Sequence, residues 1–574
     1  MNNRELAGTF TLIANLLEIK GEVIYVTLAY RKAAESLLAL AQDANIYWKQ
    51  GRLREIPGVG KAIAEKIDEL LHTGQLGFLL NLEQEVPPEL AEWLQVPGLG
   101  PKKVALIWKQ LAITNLAQLK EAAQTGKLRS LPGMGEKSEA QILVGIESLA
   151  RRSGRIPLGR AFPLAQEIIT ALMKIPGVVA ASPAGSLRRM RATVGDLDIL
   201  AAARDSSALM QVFTTLPGVM RVHGRGETKA SIEFSDGLRA QLWVHPPERF
   251  GTALQYATGS KDHNVQLRQL ALENGLSLSE HALARIDGSG EILCATEEEV
   301  YAALGLPWIA PELREDRGEM QAARSGKLPK LIETGDIHAD LQTHSTWSDG
   351  KLSMLEMARA AARRGMRVIA FTDHSVSLGV TGGLSMEQHI QQQREIEAAQ
   401  AELGDSIRIL HASEVEIKAD GTLDYPDEFL ASLDLVLASL HTSLRQPRQK
   451  VTERIINAIR NPHVDIIGHP TGRLIPEREG ADLDMDAVLA AAAQSGVALE
   501  INASPYRLDL EDIYARRARE LGIPISINTD AHSDADMDML PYGVATARRA
   551  WLTAENVINT WPAQRLLAWL AKRA

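Results

Sequence analysis

The sequence predicts a multidomain chain: helical domains at the front, an α+β region in the middle, and a C-terminal parallel sheet or barrel of βα units. Three observations predict it. The first 150 residues space their apolar side chains by three and four between short glycine-containing breaks, the helical period. From about Arg155 short β-rich runs take over, such as Asp198-Ile199-Leu200, Ala230-Ser231-Ile232-Glu233-Phe234 and Gln241-Leu242-Trp243-Val244. After Gly335, apolar runs at 368–371, 435–438, 464–467 and 523–527 alternate with helical stretches rich in Ala, Arg and Glu.

At 574 residues the chain is too long for one hydrophobic core. Its 45% hydrophobic and 23% charged residues are ordinary for a globular protein. The pattern divides it at 1–85, 86–154, 155–245, 246–317 and 335–574. Residues 318–334, polar and charged without an apolar stripe, read as a linker. The start has no basic segment leading into an apolar one, and no run of eighteen apolar residues occurs, so neither a signal peptide nor a membrane span is expected. The one cysteine, Cys294, excludes internal disulfides and zinc–thiolate knuckles and fits a reducing cytoplasm. The net charge of −10 averages over domains and does not exclude a local nucleic-acid groove.

One motif occurs three times in the helical front. It is Pro57-Gly58-Val59-Gly60-Lys61, then Pro97-Gly98-Leu99-Gly100-Pro101-Lys102, then Pro132-Gly133-Met134-Gly135-Glu136-Lys137. Glycines allow a tight turn and close approach, and the amides that open the next helix favour an anion. A single such turn also serves merely to end one helix and start another. Three copies, with Lys61, Lys102 and Lys137 beside them, point to nucleic-acid phosphates bound without base reading. The motif resembles the helix-hairpin-helix of DNA repair proteins. Glu136 makes the third copy the least suited to an anion.

In the middle region Gly185-Ser186-Leu187-Arg188-Arg189 precedes Gly195-Asp196-Leu197-Asp198. Asp196 and Asp198, two apart on a strand, face one side and can share divalent cations. The Gly185-Ser186 turn and Arg189 offer donors to phosphates. This stretch resembles the nucleotidyltransferase palm of family X DNA polymerases, over about residues 1–317. The resemblance implies that Asp196 and Asp198 are catalytic, with Mg2+ or Mn2+ if the centre is active. It also implies that Arg155, Gly185, Ser186, Arg189, Tyr256, Asn264 and Arg268 contact the nucleotide or template. The family's third catalytic aspartate falls on Gln241, a neutral amide, so a weakened polymerase is expected. Glu233 can stand in only if the Ser235-Asp236-Gly237 turn is a three-residue loop; a two-residue loop puts it on the opposite face. Lys66 matches the family's lyase lysine, with Tyr30 at a neighbouring position. It also reads as an ordinary solvated helix lysine.

Nine of the 14 histidines lie after Gly335. His344, Asp349, His374, Glu414, His441, His469, Asp530 and His532 follow successive apolar runs, that is, the C-terminal ends of successive strands, where β/α barrels build their sites. The set resembles the PHP phosphoesterase domain, a distorted β/α barrel. It implies that these eight residues bind metal, with Mn2+ or Zn2+ suited to mixed imidazole and carboxylate ligands. Many relatives carry a first His-x-His pair; here Gln342 replaces its first member.

Taken together, the resemblances imply a monomeric cytoplasmic DNA repair protein, without a membrane partner, acting on gapped or nicked DNA. Its expected activity is metal-dependent 3′–5′ exonuclease or 3′-end processing in the PHP domain, with dNTP as a further ligand of the palm if that centre works. The alternatives are an active gap-filling polymerase, a non-catalytic gap-binding scaffold, and a phosphatase for small phosphoesters.

Overall fold

The computed structural model describes the chain except residues 2, 41, 95, 97–98, 152–154, 236 and 572–574. It divides into two compact units, 1–153 and 154–574.

The first unit is helical. In its three hairpins the same turn recurs: Val59 N donates to Ile56 O, Leu99 N to Val96 O, and Met134 N to Leu131 O, each at 3.0 Å. All six of these residues belong to one hydrophobic core. Two apolar side chains therefore anchor each hairpin from below. Gly60, Gly100 and Gly135, and Lys61, Lys102 and Lys137 after them, are left exposed at the start of helices Lys61–Thr73, Pro101–Leu111 and Glu136–Arg151. Gly58 and Gly133 adopt φ of 76° and 72°, which a side chain would resist. Gly98 lies outside the described residues.

The second unit begins with a five-stranded sheet: β1 (Ala180–Pro183), β2 (Leu197–Ala202), β3 (Val219–Arg225), β4 (Lys229–Phe234) and β5 (Arg239–His245), in the order β1-β2-β5-β4-β3. Ile199, Ala201, Ile232, Ala240, Leu242 and Val244 bury one face in a core shared with helices Leu158–Met173 and Ser207–Thr214. The opposite face carries Asp198, Ser231 and Gln241. Phe234 N donates to Leu238 O, so the β4–β5 turn is a three-residue loop.

Helices Phe250–Thr258 and Lys261–Glu273 lead into a small domain with its own core. Residues 318–334, expected as a linker, are instead packed structure. They include helix Glu319–Arg324, with Ala323 and Leu331 in that core. Of the charges there, Glu319 is a buried partner, as is Arg314 just before the segment, while Arg324, Lys327, Lys330 and Glu333 are exposed. Arg314, fully buried, donates to Glu297 at 2.6 Å, and Glu319 lies 2.8 Å from buried His263. Burial pushes the Glu297 carboxyl up, but Arg314 and Arg188 overcome it and hold it down at about 2.

The C-terminal region is a seven-stranded parallel sheet in sequential order: β6 (Ala339–Thr343), β7 (Val368–Phe371), β8 (Arg408–Glu416), β9 (Leu435–Ser439), β10 (Ile466–Ile467), β11 (Ala498–Asn502) and β12 (Ile525–Asn528). Thr343 bridges Ala531, so the first and last strands meet and the barrel nearly closes. Alternate residues explain it. Ile369, Ile409, Val436, Leu499 and Ile527 pack outward against the helices, while Leu341, Ala370, Leu410, Leu437 and Ala498 form a second cluster with the C-terminal helix Ala563–Ala571. Further along the inward set, towards the strands' C-terminal ends, stand Glu414, Glu416, Glu500, Asn502 and Asn528. The apolar floor thus gives way to a polar mouth.

Candidate metal centre

All eight residues expected as ligands meet at that mouth. His344, Asp349, His374 and His532 bring one donor atom each within 4.8 Å of one another; so do His374, Glu414 and His441, and so do His344, Glu414 and Asp530. Glu414 is the hub. His374 lies 3.0 Å from its Oε2, and His469 and His441 lie 2.9 and 3.3 Å from its Oε1. His344 Nε2 lies 3.1 Å from Asp530 Oδ1, and Asp349 Oδ1 is 3.3 Å from His532 and 3.6 Å from His374. Gln342 donates to Glu414 at 3.3 Å, leaving its amide oxygen buried without a hydrogen-bond partner among the described residues.

The electrostatics are those of a cation site. Burial pushes the Glu414 carboxyl up, but His441 and His374 reverse this and hold it well below its ordinary value. Burial lowers His374, yet Glu414 and Asp349 raise it to about 10; His441 and His532 likewise rise to about 9. Imidazolium charge thus balances the carboxylates. His344 Nδ1, His469 Nδ1 and Glu414 Oε2 are buried and lack hydrogen-bond partners among the described residues. Unsatisfied buried donors and acceptors around three carboxylates fit divalent ions, which would displace those protons.

Three supporting residues were not singled out from the sequence. Asp373 accepts from Ser345 N, Ser345 Oγ, Ser348 Oγ and Gln392, fixing the loop that carries Asp349. Glu416 accepts from His441 N and from Thr442 Oγ1, and lies 2.8 Å from His441 Nδ1, orienting that ring. Asn502 donates to Asp530 at 3.0 Å. Such partners set ligand orientation. Their inward position two residues apart on β8, or just before a ligand, was the available signal.

In the palm, Asp198 pairs with Gln241 across β2 and β5, and Gln241 Nε2 lies 3.4 Å from Asp196 Oδ2. The amide therefore faces both aspartates. Glu233 shares that face but is buried against His223 at 2.7 Å and Arg239 at 3.7 Å. Burial, then Asp196, pushes Asp198 up to about 6. Gly185 takes a φ of 57°, and a Cβ there would meet Asp198 Oδ2 at 2.8 Å, so a side chain would be strained and would displace that carboxylate. Ser186 is half-buried in the same turn. Arg155 donates to Thr193 Oγ1 and O at 2.8 and 2.6 Å, and feels the charge of Asp196. Arg189 donates to Thr258 O at 2.5 Å and to Glu315 at 3.1 Å, which engages its guanidinium. Asn264 donates to Tyr256 O at 2.7 Å, and Arg268 is exposed. In the first unit, Lys66 Nζ lies 4.8 Å from the Phe78 ring, which stacks on Tyr30 at 6.0 Å.

These parts define a class: a DNA-gripping nucleotidyltransferase scaffold joined to a metal-dependent phosphoesterase. The comparisons agree part by part. Residues 1–76 match a helix-hairpin-helix domain, 90–148 a SAM-like helix-hairpin-helix tandem, 253–315 the DNA polymerase beta thumb, and 340–504 the PHP domain. The chain is 39% identical over 562 residues to the DNA polymerase/3′-5′ exonuclease PolX of Bacillus subtilis (strain 168), covering 97% of each. A probable phosphatase of Thermoanaerobacter sp. (strain X514) is 33% identical over 232 residues, 38% of this chain and 89% of that one. DNA polymerase lambda of Rattus norvegicus is 27% identical over 342 residues, 54% of this chain and 56% of that one. The chain belongs to the family X DNA polymerases of the bacterial PolX type, with a C-terminal PHP domain. It is an enzyme with a metal-dependent hydrolase centre and a DNA-binding front.

Proposed function

We propose that this enzyme trims or unblocks 3′ ends at gaps and nicks, acting in the cytoplasm as a monomer, with its principal chemistry in the PHP centre and a weakened polymerase in the palm. One observation carries the reading: eight candidate metal ligands, Glu414 at their hub, converge at one mouth, while Gln241 stands beside Asp196 and Asp198. Bound Mn2+ or Zn2+ would hold phosphate oxygens and make a water nucleophilic near neutral pH. The protein's share is to position: Glu416 and Asp373 orient ligands, and the hairpins hold the DNA backbone. At the palm, Asp196 and Asp198 would hold Mg2+ or Mn2+, and a dNTP beside the Gly185-Ser186 turn, Arg155, Tyr256, Asn264 and Arg268.

A gapped duplex labelled at the 3′ end, incubated with manganese with and without dNTPs, tests this. Shortening is the expected result, abolished by His344→Ala. Efficient extension abolished by Asp196→Ala would instead make it a gap-filling polymerase, and hydrolysis of small phosphomonoesters alone would make it a phosphatase. Lys66, beside Phe78, is a candidate for Schiff-base chemistry on an abasic sugar. Borohydride should trap a DNA adduct that Lys66→Ala does not form.

A further inference from the structure

Between β11 and helix Asp512–Glu520 a loop, 503–511, touches both the barrel and the palm. On the barrel side Arg507 reaches the cluster. Its Nε lies 3.6 Å from Asp530 Oδ2, too far for a hydrogen bond, and its Nη1 is buried without a hydrogen-bond partner among the described residues. On the other side Leu508, 1% exposed, belongs to the palm core. Three residues before it, Pro505 abuts the palm helix: a Cβ on Gly159 would meet Pro505 Cβ at 2.6 Å and its Cγ closer still.

The loop between these contacts is stiffly held. Arg507 N and Leu508 N both donate to Ser504 O, at 2.8 and 2.9 Å. Arg473 Nε donates to Arg507 O at 2.6 Å, and Asn502 N to Asp509 O at 2.6 Å. Leu508 takes a φ of 46°, a left-handed backbone unusual for leucine, which its seat in the palm core maintains. A shift of the palm surface therefore moves Arg507.

Arg507 is a guanidinium at the rim of a cation cluster, with donors to spare and only a distant carboxylate facing it. It is not alone: Arg478 is pushed down by burial and then by the charges of Arg507 and Arg445. A planar fork of donors beside metal ligands matches two oxygens of a phosphate, and cations along the rim match a polyanion.

We infer that Arg507 binds the phosphate of the substrate at the PHP cluster, and that the palm sets its position through Leu508 and Pro505. The inference rests on reading the cluster as a phosphoesterase centre, but not on DNA being the substrate.

Inorganic phosphate titrated calorimetrically into the manganese-loaded full chain tests it. Arg507→Ala should weaken phosphate binding by roughly tenfold or more, the loss of a charge-assisted pair of hydrogen bonds, with manganese content unchanged. Arg507→Lys should recover part of the affinity, since it keeps the charge and loses the fork. Gly159→Ala, a substitution in the palm helix, should push on Pro505 and weaken phosphate binding several-fold, with thermal unfolding showing the chain folded and manganese content unchanged. Equal phosphate affinity in Arg507→Ala, or loss of its manganese, overturns the phosphate role. Wild-type affinity in folded Gly159→Ala overturns the control by the palm. Trimming of labelled DNA is measured separately. A wild type that trims no DNA, yet loses phosphate affinity on Arg507→Ala, sinks the 3′-end reading and upholds this one. A wild type that trims DNA, with phosphate binding indifferent to Arg507, does the reverse.

Discussion

In the palm, Gln241 faces a pair of aspartates; in the barrel, Gln342 donates to Glu414, the hub of a cluster of three carboxylates and five imidazoles. Both glutamines stand where the family resemblance places a metal-binding or catalytic side chain. The surroundings differ. Among the described residues the palm has no further acid on that face to spare, since Glu233 is taken by His223 and Arg239. The barrel shares its ligands: His344, His374 and Glu414 each belong to two of the three donor groups. A neutral amide is therefore costly in a minimal site and tolerable in one whose ligands are pooled.

The largest effect expected from this comparison is at the hub. Glu414→Ala should empty the cluster and lower hydrolysis by on the order of 10³-fold or more, because His344, His374, His441 and His469 lose their shared partner. Metal content by mass spectrometry of the purified variant checks it. Retention of full metal with near-normal hydrolysis would mean that the ligands are not pooled through Glu414.

Next comes the palm. Gln241→Asp restores a carboxylate beside Asp196 and Asp198 and should raise dNTP incorporation by about 10²-fold, the lower end of what a positioned proton acceptor contributes. Primer extension on gapped DNA measures it. An unchanged rate would place the palm's weakness elsewhere; Arg189, engaged by Glu315 and Thr258 O, is then the next residue to free.

Gln342→His should have a smaller effect, because the barrel already works without that imidazole. The weakest-bound ion should tighten by roughly tenfold, read as a slower loss of metal to a chelator, while hydrolysis changes little. A large gain in rate would contradict the tolerance argued for the barrel.

The centres also differ in how far they were legible in the sequence. Most of the eight candidate ligands of the barrel could be named because they follow a short apolar run, and parallel strands bring such ends together; Asp349, in the loop after β6, came with the family resemblance. The three hairpins were equally local. Residues 318–334 look like a linker because Glu319 reads as solvated until His263 arrives from 56 residues away, just as the neighbouring Arg317 does until it reaches Asp512 at 2.9 Å across 195 residues. The same holds for Arg189, whose partner Glu315 is also held by Arg549 at 2.9 Å. Arg507 drew no notice because its meaning depends on where Leu508 is seated. Local patterns reveal ligands at strand ends; they do not reveal which distant charge will neutralise a run of polar residues.

The smallest expected effect concerns the cost of burying the palm's acid pair. Asp198 is raised from 3.8 to about 6, by burial first and by Asp196 second. Below pH about 4 it is protonated in both the folded and the unfolded chain, so the shift costs nothing. As pH rises towards 6 the unfolded chain gives up its proton first, and folding loses stability; above about 6 the full cost is present. Asp198→Asn removes it. In chelator, the variant should gain about 1–2 kcal/mol over the wild type at pH 8, a partial exposure of the site keeping this below the full linkage value. The gain should vanish at pH 4. The barrel also titrates over this range, but identically in both chains, so the difference between them isolates the palm. Magnesium should reverse the order at pH 8 by stabilising only the chain that keeps both aspartates. Urea midpoints at the two pH values, with and without magnesium, provide the check. A variant no more stable than the wild type at pH 8 in chelator would mean that Lys229, a cation acting on Asp198, already balances the pair; the palm would then resemble the barrel in carrying its own countercharge.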